Sequence, residues 1–251
     1  DWTAPAPAGH PRRIGRFRAV NPRSTGSATG GPERGFPPPV FGAAAIAESE
    51  PRVLYEDEYL VVVDKPCGLL SVPGRSGLLR DSVSTRLRVR YPDATGQLVV
   101  HRLDLDTSGV LLAAKRATTF SALQRQFSLS ESRKRYVAWL DGEVVGDEGV
   151  IDFPMRVDID DRPRQIHDPV QGTPAVTGWQ VLERAGGRTK VAFTPHTGRT
   201  HQIRVHMASL GHPLVSDELY GGEAAAGLSR QALHARRLAF VHPSSAEALA
   251  F

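Results

Sequence analysis

Three segments of the sequence place charged and hydroxyl-bearing residues where an apolar stretch ends. The first is HRLDLDTSGVLLAAK, residues 101–115, in which Asp104 and Asp106 point the same way if the backbone is extended. The second is TGRTHQIRVHM, residues 197–207, where a glycine turn opens a segment rich in arginine and histidine. The third is the Lys-Arg-Tyr triplet 134–136, at the start of an apolar run. Polar groups gathered at the ends of apolar elements are typical of functional sites.

Several chemistries fit these residue types. Two neighbouring carboxylates are the pair that a glycosidase uses, although an aromatic content of only 7% leaves few side chains to stack on sugars. Histidines could bind a metal, but His201 and His206 are five residues apart and therefore lie poorly on one helix face. The sequence contains neither a phosphate-binding P-loop nor a dinucleotide-binding fingerprint. Spacing alone leaves carboxylate chemistry open and disfavours a metal site.

The charge of the 251-residue chain is weakly basic and is carried by arginine. Lys and Arg total 31 against 27 Asp and Glu, and 27 of the basic residues are arginine. The planar guanidinium of arginine donates two hydrogen bonds at once to a phosphate, so the composition is compatible with nucleic-acid binding. A coding bias toward Arg, Ala, Gly and Pro predicts the same counts, so composition alone does not decide.

The sequence also excludes some settings. The single cysteine, Cys67, excludes an intramolecular disulfide framework and favours a reducing, cytoplasmic location. No apolar stretch reaches the roughly 20 residues that span a bilayer, and the chain does not begin with a secretory pattern. We therefore expect neither membrane insertion nor export.

Residues 1–50 differ in composition from the rest of the chain. They contain 7 Gly and 8 Pro. Such a segment buries too little apolar surface to offset the conformational entropy that is lost on ordering. We predict a disordered Pro/Gly/Arg-rich extension over 1–50, followed by one ordered domain over 51–251. The arginine-rich stretch 11–18 is compatible with RNA phosphate contacts or with a solvated tail.

The elements that must position the polar segments are mostly strands. Strand patterns occur at 53–58, 59–66, 98–104, 110–115, 135–145, 176–183, 189–195 and 233–242. Helical spacing occurs at 81–91, 117–127 and 200–210. In the last of these, Ile203 and Met207 share one face, whereas Arg204 falls on another. Many strands with few, non-alternating helices predict an α+β fold with a mainly antiparallel sheet.

Five motifs in a fixed order resemble the RluA-type pseudouridine synthase family. They cover the chain from about residue 54 to its end: VVVDKPCGLLSVPG (61–74), HRLDLDTSGVLLAAK (101–115), KRYVAWLDG (134–142), TPHTGRTHQIRVHMASLGHPLVSDELYG (194–221) and LHARRLAFVHP (233–243). The segments DRPRQ (161–165) and TPAVTGWQVLE (173–183) are similar to the stand-alone members that act on both 23S rRNA and the tRNA anticodon stem-loop. Residues 1–50 do not resemble the S4-type RNA-binding domain that several relatives carry.

The resemblance implies a fold, a reaction and a partner. The fold is the pseudouridine synthase fold, a mixed, mainly antiparallel central sheet flanked by helices and loops, with an active-site cleft on one face. The reaction isomerises uridine in RNA: the C1′–N1 bond breaks, the uracil turns in the pocket, and C5 bonds to C1′. The implied partner is 23S rRNA, tRNA or both. No cofactor, metal or membrane is implied, and the protein is expected to act as a cytoplasmic monomer.

The resemblance also assigns three catalytic residues. Asp104 matches the catalytic carboxylate, acting either as a nucleophile or as a base that yields a glycal. Arg204 matches the arginine that supplies Asp104 with a cationic partner, and Tyr136 matches the tyrosine that packs against the flipped base.

Three further residues are assigned to substrate binding by the same resemblance. Arg102 matches a position that fills the space the base vacates. Arg199 and His201 flank the start of the helix predicted in the motif 194–221, where backbone N–H groups suit phosphates.

Other polar residues near the motifs have a structural interpretation. We interpret Asp106 as a turn former whose carboxylate accepts bonds from the backbone of residues 107–109. His101 is interpreted as a histidine bonded to the sheet, and His206, His212 and His234 as structural too. Two alternative functions stay open: a non-catalytic RNA-binding or ribosome-assembly factor, and a synthase that acts on a different rRNA site.

Overall fold

The computed structural model describes residues 50–74, 81–129 and 133–251. The predicted extension over 1–50 therefore lies outside the described residues, apart from Glu50. In the described part, the strands are β1 (Arg52–Glu56), β2 (Leu60–Lys65), β3 (Ser108–Ala114), β4 (Arg133–Asp141), β5 (Glu148–Asp152), β6 (Met155–Val157), β7 (Gln165–His167), β8 (Val176–Ala185), β9 (Arg188–Pro195), β10 (Leu233–Val241) and β11 (Ala248–Ala250). The helices are α1 (Val83–Arg90), α2 (Ala117–Ser128) and α3 (Gln202–Ser209).

One large sheet organises these elements. Its strand order is β1-β2-β3-β10-β4-β9-β8-β5, and β11 pairs with β10. The pairings are antiparallel except between β3 and β10, which run parallel with Ala235 opposite Gly109. Strands β6 and β7 form a separate two-stranded sheet. The α+β class with a mainly antiparallel sheet, predicted from the sequence, is confirmed.

The centre of the sheet is buried on both faces, which explains its continuous apolar runs. In β2, Leu60 and Val62 pack in one core cluster while Val61 and Val63 pack in another on the opposite face. Helix α2 covers the cluster that contains Leu60 and Val62. It does so with an apolar stripe, Phe120, Leu123 and Phe127, at the helical spacing found in residues 117–127. The alternation along β2 thus produces two cores from one strand.

Helices α1 and α3 cover other parts of the sheet. Helix α1 begins at a capping box, in which the Ser82 hydroxyl accepts from the Thr85 N–H and the Thr85 hydroxyl accepts from the Ser82 N–H. Helix α3 packs Ile203 and Met207 into a core cluster with Phe193 of β9, as the spacing predicts. On another side of α3, Arg204 bonds Asp217, which lies in the segment between α3 and β10.

The prediction of a regular strand at 98–104 is wrong, because these residues form no continuous strand. Val99 forms only an isolated bridge with Ala113, and the amide of Leu112 donates to the ring Nε2 of His101 at 3.2 Å. The imidazole takes the place of the backbone carbonyl that a continuing strand would supply. The ladder stops there, and residues 101–106 continue as an irregular segment. The short strands β5, β6, β7 and β11 were not anticipated, because three to five residues carry too little periodicity.

Gly109 permits the parallel contact between β3 and β10. Its φ is +116°, a conformation that favours glycine, and an added Cβ would overlap with the carbonyl oxygen of Ala235. The backbone of Ala235 cannot move away without disturbing its pairing with Tyr136 of β4. The sheet next to residues 104–108 therefore requires a residue without a side chain.

We expect Gly109→Ala to lower the free energy of unfolding by roughly 2–5 kcal/mol, from backbone strain and steric overlap together. The matched control is Gly186→Ala, where φ is +59° and no atom lies within 4 Å of the added Cβ. That control carries only the conformational cost, about 1 kcal/mol. Urea unfolding of both variants measures the difference. Equal losses would show that the overlap at Ala235 is relieved without cost.

Candidate active site

Asp104 lies in the irregular segment that leads into β3. The backbone on either side of it is held by side chains: the N–H of Leu103 donates to the Ser71 hydroxyl at 2.9 Å, and that hydroxyl donates to the Leu103 carbonyl at 2.8 Å. The N–H of Thr107 donates to the Asp104 carbonyl at 3.2 Å and closes the turn. The carboxylate of Asp104 remains 26% exposed. Its backbone is therefore fixed while its side chain stays open to a ligand.

A fully buried lysine completes the support of this segment. The Lys65 ammonium donates to the carbonyl oxygens of Pro66, Leu69 and Leu105, at 2.9, 2.6 and 2.8 Å. Burial lowers the pKa of Lys65 to about 8, and the negative charges of Asp106 and Asp104 oppose that shift. Three carbonyls satisfy its three N–H groups, so Lys65 joins residues 66–69 to the residue after Asp104.

Arg204 contacts two carboxylates, and Asp104 is the more distant one. Its Nε and Nη2 donate to the two oxygens of Asp217 at 2.7 and 2.8 Å, while its Nη1 lies 3.5 Å from Oδ2 of Asp104. Asp217 is fully buried and the Arg204 side chain is only 8% exposed. Burial disfavours the charged guanidinium, but the hydrogen bonds with Asp217 outweigh that cost and raise the pKa of Arg204. The sequence predicts Arg204 as the cationic partner of Asp104, and the structure adds Asp217, which binds Nε and Nη2 and leaves Nη1 for Asp104.

His201 also faces Asp104. Its Nε2 lies 3.9 Å from Oδ2 of Asp104, and its Nδ1 lies 2.8 Å from the hydroxyl of Tyr220. The residue precedes α3 in a left-handed conformation with φ 55°, which is unusual for a residue with a Cβ. Burial lowers the pKa of His201, and the negative charge of Asp104 opposes that shift. The imidazole is therefore neutral at pH 7.

Tyr136 occupies the neighbouring strand β4. Its backbone is paired with Phe193 on one side and Ala235 on the other, and its half-buried ring contacts two of the core clusters. Burial, and then the negative charge of Asp104, raise the pKa of Tyr136 well above its ordinary value. Tyr136 is thus a neutral phenol near Asp104.

The two remaining predicted arginines have different surroundings. Arg102 has an exposed side chain. Its positive charge helps to lower the pKa of His201. Arg199 donates through Nε to the carbonyl of Pro174 at 3.1 Å, and its backbone N–H donates to the Gln202 side chain at 2.9 Å. The expectation of free backbone donors for phosphate at this helix start is therefore corrected for Arg199, because Gln202 already accepts its N–H.

The other polar residues near the motifs contact the protein itself. The rings of His206, His212 and His234 bond to the Phe153 carbonyl, the Asp141 carbonyl and the Ser108 hydroxyl, at 3.2, 3.0 and 3.0 Å. Their structural interpretation is confirmed, as is that of His101. Asp106 is not the group that closes the turn, because the backbone of Thr107 and Asp104 does so. Burial raises the pKa of Asp106, opposed by the charges of Lys65 and Arg204.

The described residues contain neither a metal-binding cluster nor a membrane-spanning helix. Within residues 50–74, 81–129 and 133–251, no three or more His, Cys, Asp or Glu side chains are grouped so as to hold a metal ion. No helix in that part of the chain is long and apolar enough to span a membrane.

Residues 59–209 match a family model described as RNA pseudouridylate synthase, and the match covers more than half of the chain. The chain belongs to this family. It is an isomerase that converts uridine in RNA to pseudouridine, and the family resemblance found in the sequence is confirmed. The glycosidase and non-catalytic alternatives are thereby set aside.

Curated relatives and solved structures agree with this membership. The dual-specificity RNA pseudouridine synthase RluA of Yersinia pestis is 45% identical over 193 residues, which cover 76% of this chain and 92% of that protein. The protein of the same name from Escherichia coli K12 is 43% identical over 201 residues, covering 79% and 90%. The structure of human RNA Pseudouridylate Synthase Domain Containing 1 gives a TM-score of 0.65 at 29% identity, covering 81% of this chain and 82% of that chain. Human RNA Pseudouridylate Synthase Domain Containing 4 gives 0.61 at 25% identity, covering 83% and 88%. The predicted pseudouridine synthase fold is confirmed.

The sequence interpretation missed three residues of this candidate site. Lys65, Asp217 and Tyr220 all contact the groups around Asp104, directly or through one neighbour. The signal for Lys65 was a basic residue at the end of β2, two positions after its apolar run. Asp217 and Tyr220 lie in the motif that contains Arg204, but nothing in their spacing identifies their partners.

We expect Asp217→Ala to lower the free energy of unfolding by about 3–5 kcal/mol, because Arg204 would remain buried and charged without its partner. The matched control is Asp147→Ala, which removes an ion pair with Arg184 in which the Asp147 side chain is 87% exposed. That pair lies largely in water and contributes little. Urea unfolding of both variants measures the contrast, and comparable losses would mean that the buried pair is not a main source of stability.

Proposed function

We propose that Asp104 is the catalytic carboxylate of the isomerisation. The observation that carries the proposal is the contrast between the two carboxylates on Arg204. Asp217 is fully buried and takes two hydrogen bonds, whereas Asp104 is 26% exposed and lies 3.5 Å from the remaining guanidinium nitrogen. Of the two, only Asp104 is open to a nucleotide.

The proposed role requires an ionised carboxylate at the sugar or base. During the reaction the C1′–N1 bond breaks, C5 bonds to C1′, and the proton lost from C5 is balanced by one gained at N1. Asp104 either attacks as a nucleophile or removes a sugar proton to form a glycal, and both routes begin from the anion. The positive charge of Arg204, held by Asp217, stabilises that anion before RNA binds.

Tyr136 is proposed to pack against the uracil. The target base has to leave its stack to reach Asp104, and an aromatic face holds a turning base without fixing its hydrogen bonds. The raised pKa keeps Tyr136 protonated, which favours a packing role over that of a phenolate base.

The remaining assignments concern RNA. We propose that the exposed Arg102 fills the space the base vacates, and that Arg199 and His201 lie on the substrate side of α3. Because relatives at 43–45% identity are named as dual-specificity enzymes, we propose two substrates, the tRNA anticodon stem-loop and a 23S rRNA loop. The proposed catalytic unit is residues 51–251, acting as a cytoplasmic monomer.

Asp104→Asn should lower pseudouridine formation by roughly 1,000-fold or more, because the anion is lost while the shape of the side chain is kept. RNA binding should persist, since the positive charges are retained. Release of tritium from RNA labelled at C5 of uridine measures the reaction. The matched control is Asp106→Asn, two residues away, which should retain most activity. An active Asp104→Asn enzyme would contradict the proposal.

A pseudouridine map of total RNA tests the choice of substrate. Deletion of the protein should remove pseudouridine from both a tRNA anticodon stem-loop and 23S rRNA, and wild-type protein should restore both. The Asp104→Asn variant should restore neither. Loss confined to one RNA class, or to a different rRNA site, would replace the dual-substrate proposal.

A further inference from the structure

The hydroxyl of Tyr220 lies between a backbone amide and the imidazole of His201. The N–H of Gln165, in β7, donates to Tyr220 Oη at 2.9 Å, and His201 Nδ1 lies 2.8 Å from the same oxygen. The Tyr220 ring also has the guanidinium of Arg204 4.9 Å from its centroid. Tyr220 thus contacts two of the residues that face Asp104.

The direction of these hydrogen bonds follows from the chemistry of the donors. A backbone N–H can only donate, so the Tyr220 oxygen accepts from Gln165. If the Tyr220 proton then points to His201, Nδ1 is the acceptor. In the opposite arrangement His201 would donate, and the Tyr220 proton would have no acceptor among the hydrogen bonds of the described residues. Tyr220 is half-buried, and leaving its hydroxyl proton without a protein acceptor has a cost, so the first arrangement is favoured.

The charge states of both groups agree with that direction. Burial raises the pKa of Tyr220 to about 12, so its proton is present at pH 7. Burial lowers the pKa of His201, opposed by Asp104, so its Nδ1 is free to accept. Arg204, Asp217 and Arg102 act on His201 by charge as well, but burial has the largest effect.

A neutral imidazole that accepts at Nδ1 carries its proton at Nε2. That nitrogen lies 3.9 Å from Oδ2 of Asp104, so the Nε2–H group faces a carboxylate. The other tautomer would turn a lone pair toward the same negative charge. At 3.9 Å the contact is longer than a hydrogen bond, and contacts of this kind often shorten when a substrate closes the site.

We propose that Tyr220 is a positioning residue that acts through His201. Its hydroxyl holds His201 in the Nε2–H tautomer, and His201 then donates to the Asp104 carboxylate when RNA occupies the cleft. The proposal rests on the proposed function in one respect, the role of Asp104. It assigns to His201 a task at the carboxylate in place of phosphate binding.

Tyr220→Phe tests the role of the hydroxyl alone, because the ring and its contact with Arg204 are kept. We expect kcat to fall about 5- to 30-fold with little change in KM, the effect of one lost hydrogen bond near a charged group. Tyr55→Phe is the matched control, since it removes a hydroxyl that bonds to Asp57. The control should leave kcat unchanged. Thermal unfolding checks that both variants are folded.

Nitrogen NMR of His201 distinguishes positioning from a merely structural role. The wild type should show a protonated Nε2 and an unprotonated Nδ1, and Tyr220→Phe should show a mixture or the reverse. His201→Gln, which keeps an N–H donor near the Nε2 position, should retain more activity than His201→Asn. A wild-type ring protonated at Nδ1, or equal activity of the two variants, would overturn the inference.

A double-mutant cycle completes the test. In a His201→Ala background, Tyr220→Phe should lower kcat no further, because its effect passes through His201. Independent, multiplicative losses would overturn the inference. Asp104→Asn is measured in parallel: if it is active, the proposed function fails. If it is inactive while Tyr220→Phe matches the wild type in kcat, only the role of Tyr220 fails.

Discussion

The buried pair between Arg204 and Asp217 is the interaction on which the site depends. Either charge alone would be expensive at this depth, and the two-bond geometry makes the pair tolerable. Because Asp217 occupies Nε and Nη2, the orientation of the guanidinium is set within the protein, and Nη1 is the nitrogen left facing Asp104. A positive charge is thus in place beside Asp104 without RNA, so the proposed reaction at Asp104 does not require it to reorganise.

A second constraint is the irregular backbone around Asp104. A segment that leaves the sheet loses its ladder partners, and its buried polar groups need others. Here Ser71 bonds both the N–H and the carbonyl of Leu103, and Lys65 bonds the carbonyl of Leu105. Two side chains from the motif 61–74 therefore replace the hydrogen bonds of a β-ladder on both sides of Asp104. The segment is irregular and yet fixed, which suits a residue that must be both exposed and accurately placed.

The sequence predicts burial better than it predicts hydrogen-bond partners. The stripe on α2 and the Ile203–Met207 face of α3 could be read from periodicity, because burial recurs with the helical turn. The apolar residues within 98–104 indicate burial equally well, and Leu98 and Val100 are indeed buried. They cannot show that the His101 ring ends the ladder of strand hydrogen bonds. For the same reason, the ion pair between Arg204 and Asp217 cannot be predicted from the sequence. It depends on how helix α3 meets the loop that follows it. The resemblance to a family supplied Asp104 and Arg204 without supplying the residues that hold them.

His201 and His206 illustrate this limit on one helix. His206 is fully buried and bonds the Phe153 carbonyl, whereas His201 lies at the helix start with one nitrogen on Tyr220 and the other toward Asp104. The difference comes from the left-handed backbone at His201, which costs about 1 kcal/mol and persists only where neighbouring contacts impose it. The Gln202 side chain supplies those contacts by accepting from the Arg199 N–H and the Thr197 hydroxyl. The turn over residues 197–202 is therefore held by its own hydrogen bonds, and the fold alone places the His201 ring 3.9 Å from the Asp104 carboxylate.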